Sequence, residues 1–138
     1  IRTELPRLAD VVGVDVADPD GVDAAFPRSV KALDGLDVMI CNAGISIRRD
    51  FVDIVRADFD RVMRVNVHGV FYPSQLAARH MLKAGGGAIL MSTSSSVKEP
   101  IQNLGLSTVL RASVSALAPK NSSRRGSSRS IQSFSSSD

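Results

Sequence analysis

The chain has 138 residues, 43% hydrophobic and 22% charged, which bounds it at one domain; with aromatics at only 4%, its core must be aliphatic. No apolar run reaches the roughly 18 residues of a membrane span, and the single cysteine, Cys41, excludes an intramolecular disulfide and fits a reducing, cytoplasmic compartment. Of 17 basic and 14 acidic residues, four and one fall in 119–138, which leaves 13 of each in 1–118 and no electrostatic footprint for nucleic acid.

The chain opens on Ile1 rather than Met and carries no signal peptide, as expected of a sequence whose start lies upstream. Residues 9–16 (ADVVGVDV) are rich in valine and alternate near their end, so they are expected to form a strand. Asp18-Pro19 is a helix start, with Asp as N-cap and Pro at the first helical position. Val22, Ala25, Phe26, Val30 and Leu33 then recur at helical spacing over 19–34, and Gly35 closes the helix. Residues 37–41 are a short apolar run without helical spacing that ends in Asn42-Ala43-Gly44, the pattern of a buried parallel strand followed by a tight turn. In open parallel sheets, ligands bind outside such strand ends.

A loop over 45–57 leads to a long helix from about Asp58, with a kink expected at Pro73. Gly85-Gly86-Gly87 stops that helix, and Ala88–Met91 is the next buried strand, leading into Ser92–Ser96. The Gly run is no phosphate loop, since a strand follows it. After a loop at 97–104, residues 106–117 form a helix rich in Ala, Val and Leu. Residues 119–138 hold nine serines and almost no apolar periodicity, so a disordered Ser/Arg-rich tail is expected. Alternating strands and helices over 9–118 predict a parallel α/β sheet with right-handed crossovers. His68 and His80 have no cysteine or carboxylate at metal-ligand spacing, so no metal site is expected.

Over residues 9–118 these motifs, in this order and spacing, resemble the short-chain dehydrogenase/reductase superfamily, in its 3-oxoacyl-ACP-reductase-like branch. The resemblance implies a partial Rossmann-like, doubly wound parallel sheet of three strands and three main helices, with 1–118 as a truncated NAD(P)-binding domain. It implies that Asp15 and Val16 contact the adenine, that Asn42, Ala43 and Gly44 line the cofactor, and that Asn66 is the structural Asn of the catalytic tetrad. Ser94 corresponds to the catalytic serine. It further implies NAD or NADP as cofactor, a small-molecule carbonyl or alcohol substrate, and homo-oligomers paired through helices 58–84 and 105–118.

Two departures stand beside these matches. The family's Tyr-x-x-x-Lys, thirteen residues beyond the serine, falls on Ser107 and Arg111. An aliphatic hydroxyl is a far weaker acid than a phenol, whose pKa is about 10. Arg111 remains a permanent cation that can fork onto ribose hydroxyls. The family's Gly-rich phosphate loop has no counterpart before residue 9, and its C-terminal substrate region has none after 118. The expectation is therefore an NAD(P)-dependent oxidoreductase by resemblance, weak or inactive as this chain. The alternatives are a non-catalytic nucleotide- or partner-binding module and a non-functional truncated product of low stability with open strand edges.

Overall fold

A computed structural model of the chain describes residues 8–99, 101–117 and 132–136. Helix α1 spans Pro19–Leu33. Asp18 sits extended at its N-cap without a side-chain capping bond, and the first turn is closed by the Val22 N–H on the Asp18 carbonyl at 3.0 Å. Asp34 adopts a left-handed φ of 55° and Gly35 one of 135°, which turns the chain into strand β1, Val38–Cys41.

The long helix expected from Asp58 forms in three parts. Helix α2 is Arg56–Met63, one π-helical turn occupies Arg64–His68, and α3 runs over Gly69–Ala84 with Pro73 buried inside it. The break in regularity lies at Asn66 rather than at Pro73. Gly69 lets residue 16 come close: a Cβ there would meet Val16 Cγ2 at 2.7 Å and the Val16 carbonyl oxygen at 3.2 Å. Gly85 and Gly86, with φ of 94° and 143°, end α3, and the Gly86 N–H returns to the Met81 carbonyl at 2.8 Å. Strand β2 is Ala88–Ser94, and α4 is Gly105–Leu117.

The sheet is all parallel, in the order β1-β2-β3, with Val38 opposite Ala88 and Cys41 opposite Met91. Its third strand is not the one expected. Residues 9–16 are not a strand in the structure, and Val11 and Val14 stand 60% and 42% exposed. The third strand, β3, is Gln132–Ser136, within the stretch expected to be disordered. It pairs with the outer edge of β2, Leu90 opposite Gln132 through Ser94 opposite Ser136. Backbone pairing on an open edge requires no apolar periodicity, which is why composition did not signal it. The remainder of the expected tail, 119–131 and 137–138, lies outside the described residues.

One face of the sheet is packed. Cys41, Ile89 and Met91 join Val70, Ala77, Met81 and Val114 from α3 and α4 in the main core, with Met39 against it. A second cluster, Val62, Leu106 and Leu110, closes α2 against α4 beneath the loop that carries Ile45, Ile47 and Ile54. The alternate residues of β1, Val38 and Ile40, are 53% and 61% exposed on the other face.

Candidate functional site

The carboxyl ends of β1 and β2 stop side by side and run into the Asn42-Ala43-Gly44 turn and the Ser92–Ser96 stretch. Three side chains from three elements tie this corner together.

The first is Asn66, wholly buried in the π turn. Its Oδ1 accepts from the Ile45 N–H at 2.8 Å, and its Nδ2 donates to the Ile45 carbonyl at 2.9 Å. A carboxamide is the side chain that can do both at once. The two bonds hold the residue that follows Gly44, so the turn is fixed from behind. The extra residue of the π turn accompanies this inward placement, as such turns often do at functional sites.

The second is Arg111. From α4 its Nη1 donates to the Ser92 carbonyl at 2.8 Å, and its guanidinium lies against Gly44. A Cβ on Gly44 would collide with Nη2 and lie 2.8 Å from Cζ. The backbone angle at Gly44 does not demand glycine; a Cβ there would instead displace the Arg111 tip. Burial pulls the Arg111 pKa below its ordinary value, from a starting point so high that the group is cationic at neutral pH.

The third is Ser92, half-buried on β2, whose hydroxyl donates to Asn42 Oδ1 at 2.7 Å. Sequence reading did not single it out. The strand register could have: with Cys41 opposite Met91, the next position pairs Asn42 with Ser92.

The remaining expected residues divide. Asp15 lies at the end of the extended segment before α1, where its Oδ1 accepts from the Ala17 N–H at 2.9 Å and its carbonyl from the Asp18 N–H at 3.0 Å. It lines a cleft of about 530 Å³ with Ala17, Ile45, Asp60, Arg61 and Arg64, a volume inside the roughly 300–1,000 Å³ of small-molecule sites. Val16 packs on Gly69 beside it. Ala43 is exposed on the turn. Ser94, at the end of β2, accepts from the Ser96 N–H at 3.3 Å and from Ser96 Oγ at 2.9 Å, so its oxygen caps the following 3-10 turn. Ser107 is only 8% exposed on the inner face of α4. Asn42, Gly44, Asn66 and Arg111 are thus drawn to one corner, Asp15 to the adjoining cleft, while Ser94 and Ser107 are engaged or buried.

The loop over this corner is tethered at Arg49. Its N–H donates to the Asn103 carbonyl at 3.1 Å, and its Nε lies 2.9 Å from Asp58 Oδ2, an ion pair without hydrogen-bond alignment.

Comparison with known proteins accords with this geometry. A sequence model of the family described as enoyl-(acyl carrier protein) reductase matches residues 1–129. The chain belongs to this short-chain dehydrogenase/reductase family. A short-chain dehydrogenase/reductase of Armillaria gallica is 40% identical over 94 residues, 67% of this chain and 36% of its own length. The glucose 1-dehydrogenase of Gluconobacter oxydans is 36% identical over 99 residues, 68% of this chain and 37% of its own. Among solved structures, a short-chain type dehydrogenase/reductase from Mycobacterium marinum superposes with a TM-score of 0.72 at 33% identity, covering 78% of this chain and 44% of that one. A 3-ketoacyl-(acyl-carrier-protein) reductase from Brucella melitensis, solved with NADH, gives 0.72 at 25% identity over 78% and 46%. The chain therefore spans well under half the length of these short-chain dehydrogenase/reductase relatives. Among its described residues no helix is long and apolar enough to cross a membrane, and no cluster of three potential metal ligands occurs.

Proposed function

We propose that this chain binds NAD or NADP as part of an NAD(P)-dependent oxidoreductase for a small carbonyl or alcohol substrate, and that as it stands it transfers hydride poorly. The observation that carries the reading is the Arg111 guanidinium, laid against Gly44 and anchored on the Ser92 carbonyl. A fixed fork of N–H donors at the end of a parallel strand suits ribose hydroxyls.

The residues present fit a dinucleotide. The missing Cβ of Gly44 lets the Arg111 guanidinium lie against the turn, and the cleft beside Asp15 is of small-molecule size. In this reading Asp15 and Val16 hold the adenosine end, and Asn42, Ala43 and Gly44 form the floor. Asn66 keeps that floor in place through Ile45, and Arg111 takes the ribose nearest the reacting carbon. The cofactor, when bound, supplies or accepts the hydride. Ser94 would polarise a substrate oxygen through its own O–H, which its acceptance of two bonds from Ser96 leaves free to donate. Ser107 falls at the family's proton-donor register, thirteen residues after Ser94, but a buried aliphatic hydroxyl is a poor general acid near neutral pH. That burial favours a second reading, in which the corner binds a nucleotide without catalysis.

The finer assignments follow from the same reading. Residues 1–118 would act as the nucleotide-binding unit, in the cytoplasm, where Cys41 stays reduced. Homo-oligomers would form through α3 and α4, which expose Leu82 at 81% and Val109 at 64%.

Titration with NADH and NADPH, followed by cofactor fluorescence, tests the proposal. Saturable binding of either is expected, with little or no turnover of a panel of ketones and alcohols. Absence of binding at millimolar cofactor overturns both readings and leaves a non-functional truncated product, which the absence of a cooperative thermal melt would confirm independently.

A further inference from the structure

Ser92 is joined to two of the groups that shape this corner, and its hydroxyl has no part in the function proposed above. Its carbonyl receives Arg111 Nη1 at 2.8 Å and its hydroxyl donates to Asn42 Oδ1 at 2.7 Å. Asn42 is exposed at the end of β1, so its carboxamide is otherwise free to rotate. A carboxamide presents an acceptor on one side and two N–H donors on the other. When Ser92 claims the oxygen, the Nδ2 donors are left for another partner. The same residue then sets the position of a cation through its main chain and the polarity of an amide through its side chain.

We infer that Ser92 is a positioning residue of the dinucleotide site, whose hydroxyl holds the Asn42 amide with its N–H donors toward the bound cofactor. This role rests on the binding proposed above. Asn42 touches the ligand, and Ser92 acts through Asn42. The hydroxyl is the only part of Ser92 that a substitution can remove while leaving the carbonyl for Arg111, so the two contacts separate cleanly.

A double-mutant cycle on NADH and NADPH affinity tests it, using the whole chain and the variants Ser92→Ala, Asn42→Ala and the pair. Freeing one oriented amide costs about the worth of one hydrogen bond, so Ser92→Ala should raise the dissociation constant about 3- to 10-fold. Ser92→Thr, which keeps the hydroxyl, should stay within about twofold. The pair should be no weaker than Asn42→Ala alone, because Ser92 has nothing left to orient. A hydroxyl that merely stiffened β2 would weaken binding in the Asn42→Ala background as well, and that additivity overturns the inference.

A second readout needs no cofactor. The Asn42 side-chain amide pair, assigned by its loss in Asn42→Ala, should shift in the ¹⁵N spectrum of Ser92→Ala; unmoved resonances overturn the inference. A wild-type chain that binds neither NADH nor NADPH overturns the dinucleotide reading and this role together. Wild-type binding with unchanged affinity in Ser92→Ala overturns only the role of Ser92.

Discussion

Replacing Asn66 by alanine should be among the most damaging single changes in the chain. The side chain is fully buried and makes both polar contacts to Ile45, at 2.8 and 2.9 Å. Its removal leaves the Ile45 N–H and carbonyl unpaired in a half-buried position, at about 1 kcal/mol each, since water reaches them in part. The void left in the π turn raises the loss to about 3 kcal/mol. For a chain of this size that corresponds to a fall in Tm of about 10 °C. Thermal unfolding followed by circular dichroism measures it. Asn66→Leu separates the causes, because it refills the volume without the hydrogen bonds, and it should be nearly as destabilising as alanine. A change below about 0.5 kcal/mol in Asn66→Ala, or full recovery in Asn66→Leu, refutes the two-point clamp. Asn66→Asp adds a pH test. Its carboxylate would face the Ile45 carbonyl, so its folded pKa must rise above the unfolded value of about 3.9. Only the protonated acid can donate as Nδ2 does. Its stabilising contribution is therefore present below about pH 4 and is lost as pH rises through the raised folded value.

Gly44→Ala should move Tm little, because a flexible arginine tip can yield, yet displacing Arg111 from the Ser92 carbonyl should weaken NADH binding about tenfold; unchanged affinity would remove Arg111 from the site. Restoring a phenol and an amine with Ser107→Tyr and Arg111→Lys together should raise turnover of a carbonyl substrate by about 100-fold, the lower end for a positioned general acid; no gain counts against the register that places Ser107 thirteen residues after Ser94. Burial pushes the Cys41 thiol above its ordinary pKa, with its bond to Ser74 opposing in part. Stability tied to Cys41 is thus complete below the unfolded thiol pKa of about 8.5 and declines as pH rises toward the folded value. Cys41→Ala should abolish that decline, and iodoacetamide should label Cys41 only as fast as the chain opens. Ending the chain after residue 131 should strip the β3 pairing and lower hydrogen-exchange protection across Leu90–Ser94; unchanged protection would show that β2 does not depend on it.

Much of this arrangement is legible in the sequence, for reasons that differ from residue to residue. Helix α1 announced itself by Asp18-Pro19 and Gly35, because caps and stops are local chemistry. Strands β1 and β2 were readable as apolar runs bounded by turns, and their ends carried Asn42–Gly44 and Ser92–Ser94. Asn66 is named in the sequence by the family resemblance alone, and its two bonds to Ile45 are what the structure adds. What could not be read depends on partners distant in sequence. The valines of 9–16 have strand composition, yet two of them, Val11 and Val14, stand exposed and the segment is not a strand. Gln132–Ser136 has the reverse character, a polar segment that pairs because β2 offers an edge. The engagement of Ser94 by Ser96, and of Asn42 by Ser92, turned on which of several adjacent serines points where.

The open side of the sheet has a practical bearing on every measurement above. Val38 and Ile40 present a hydrophobic strip on the face opposite α3 and α4. Two chains that meet there exclude water from the same surface that folding left wet, so association and folding become thermodynamically coupled. A melting temperature that rises with chain concentration would report such association. A dilution series, rather than a single scan, then yields the intrinsic stability against which each substitution is compared.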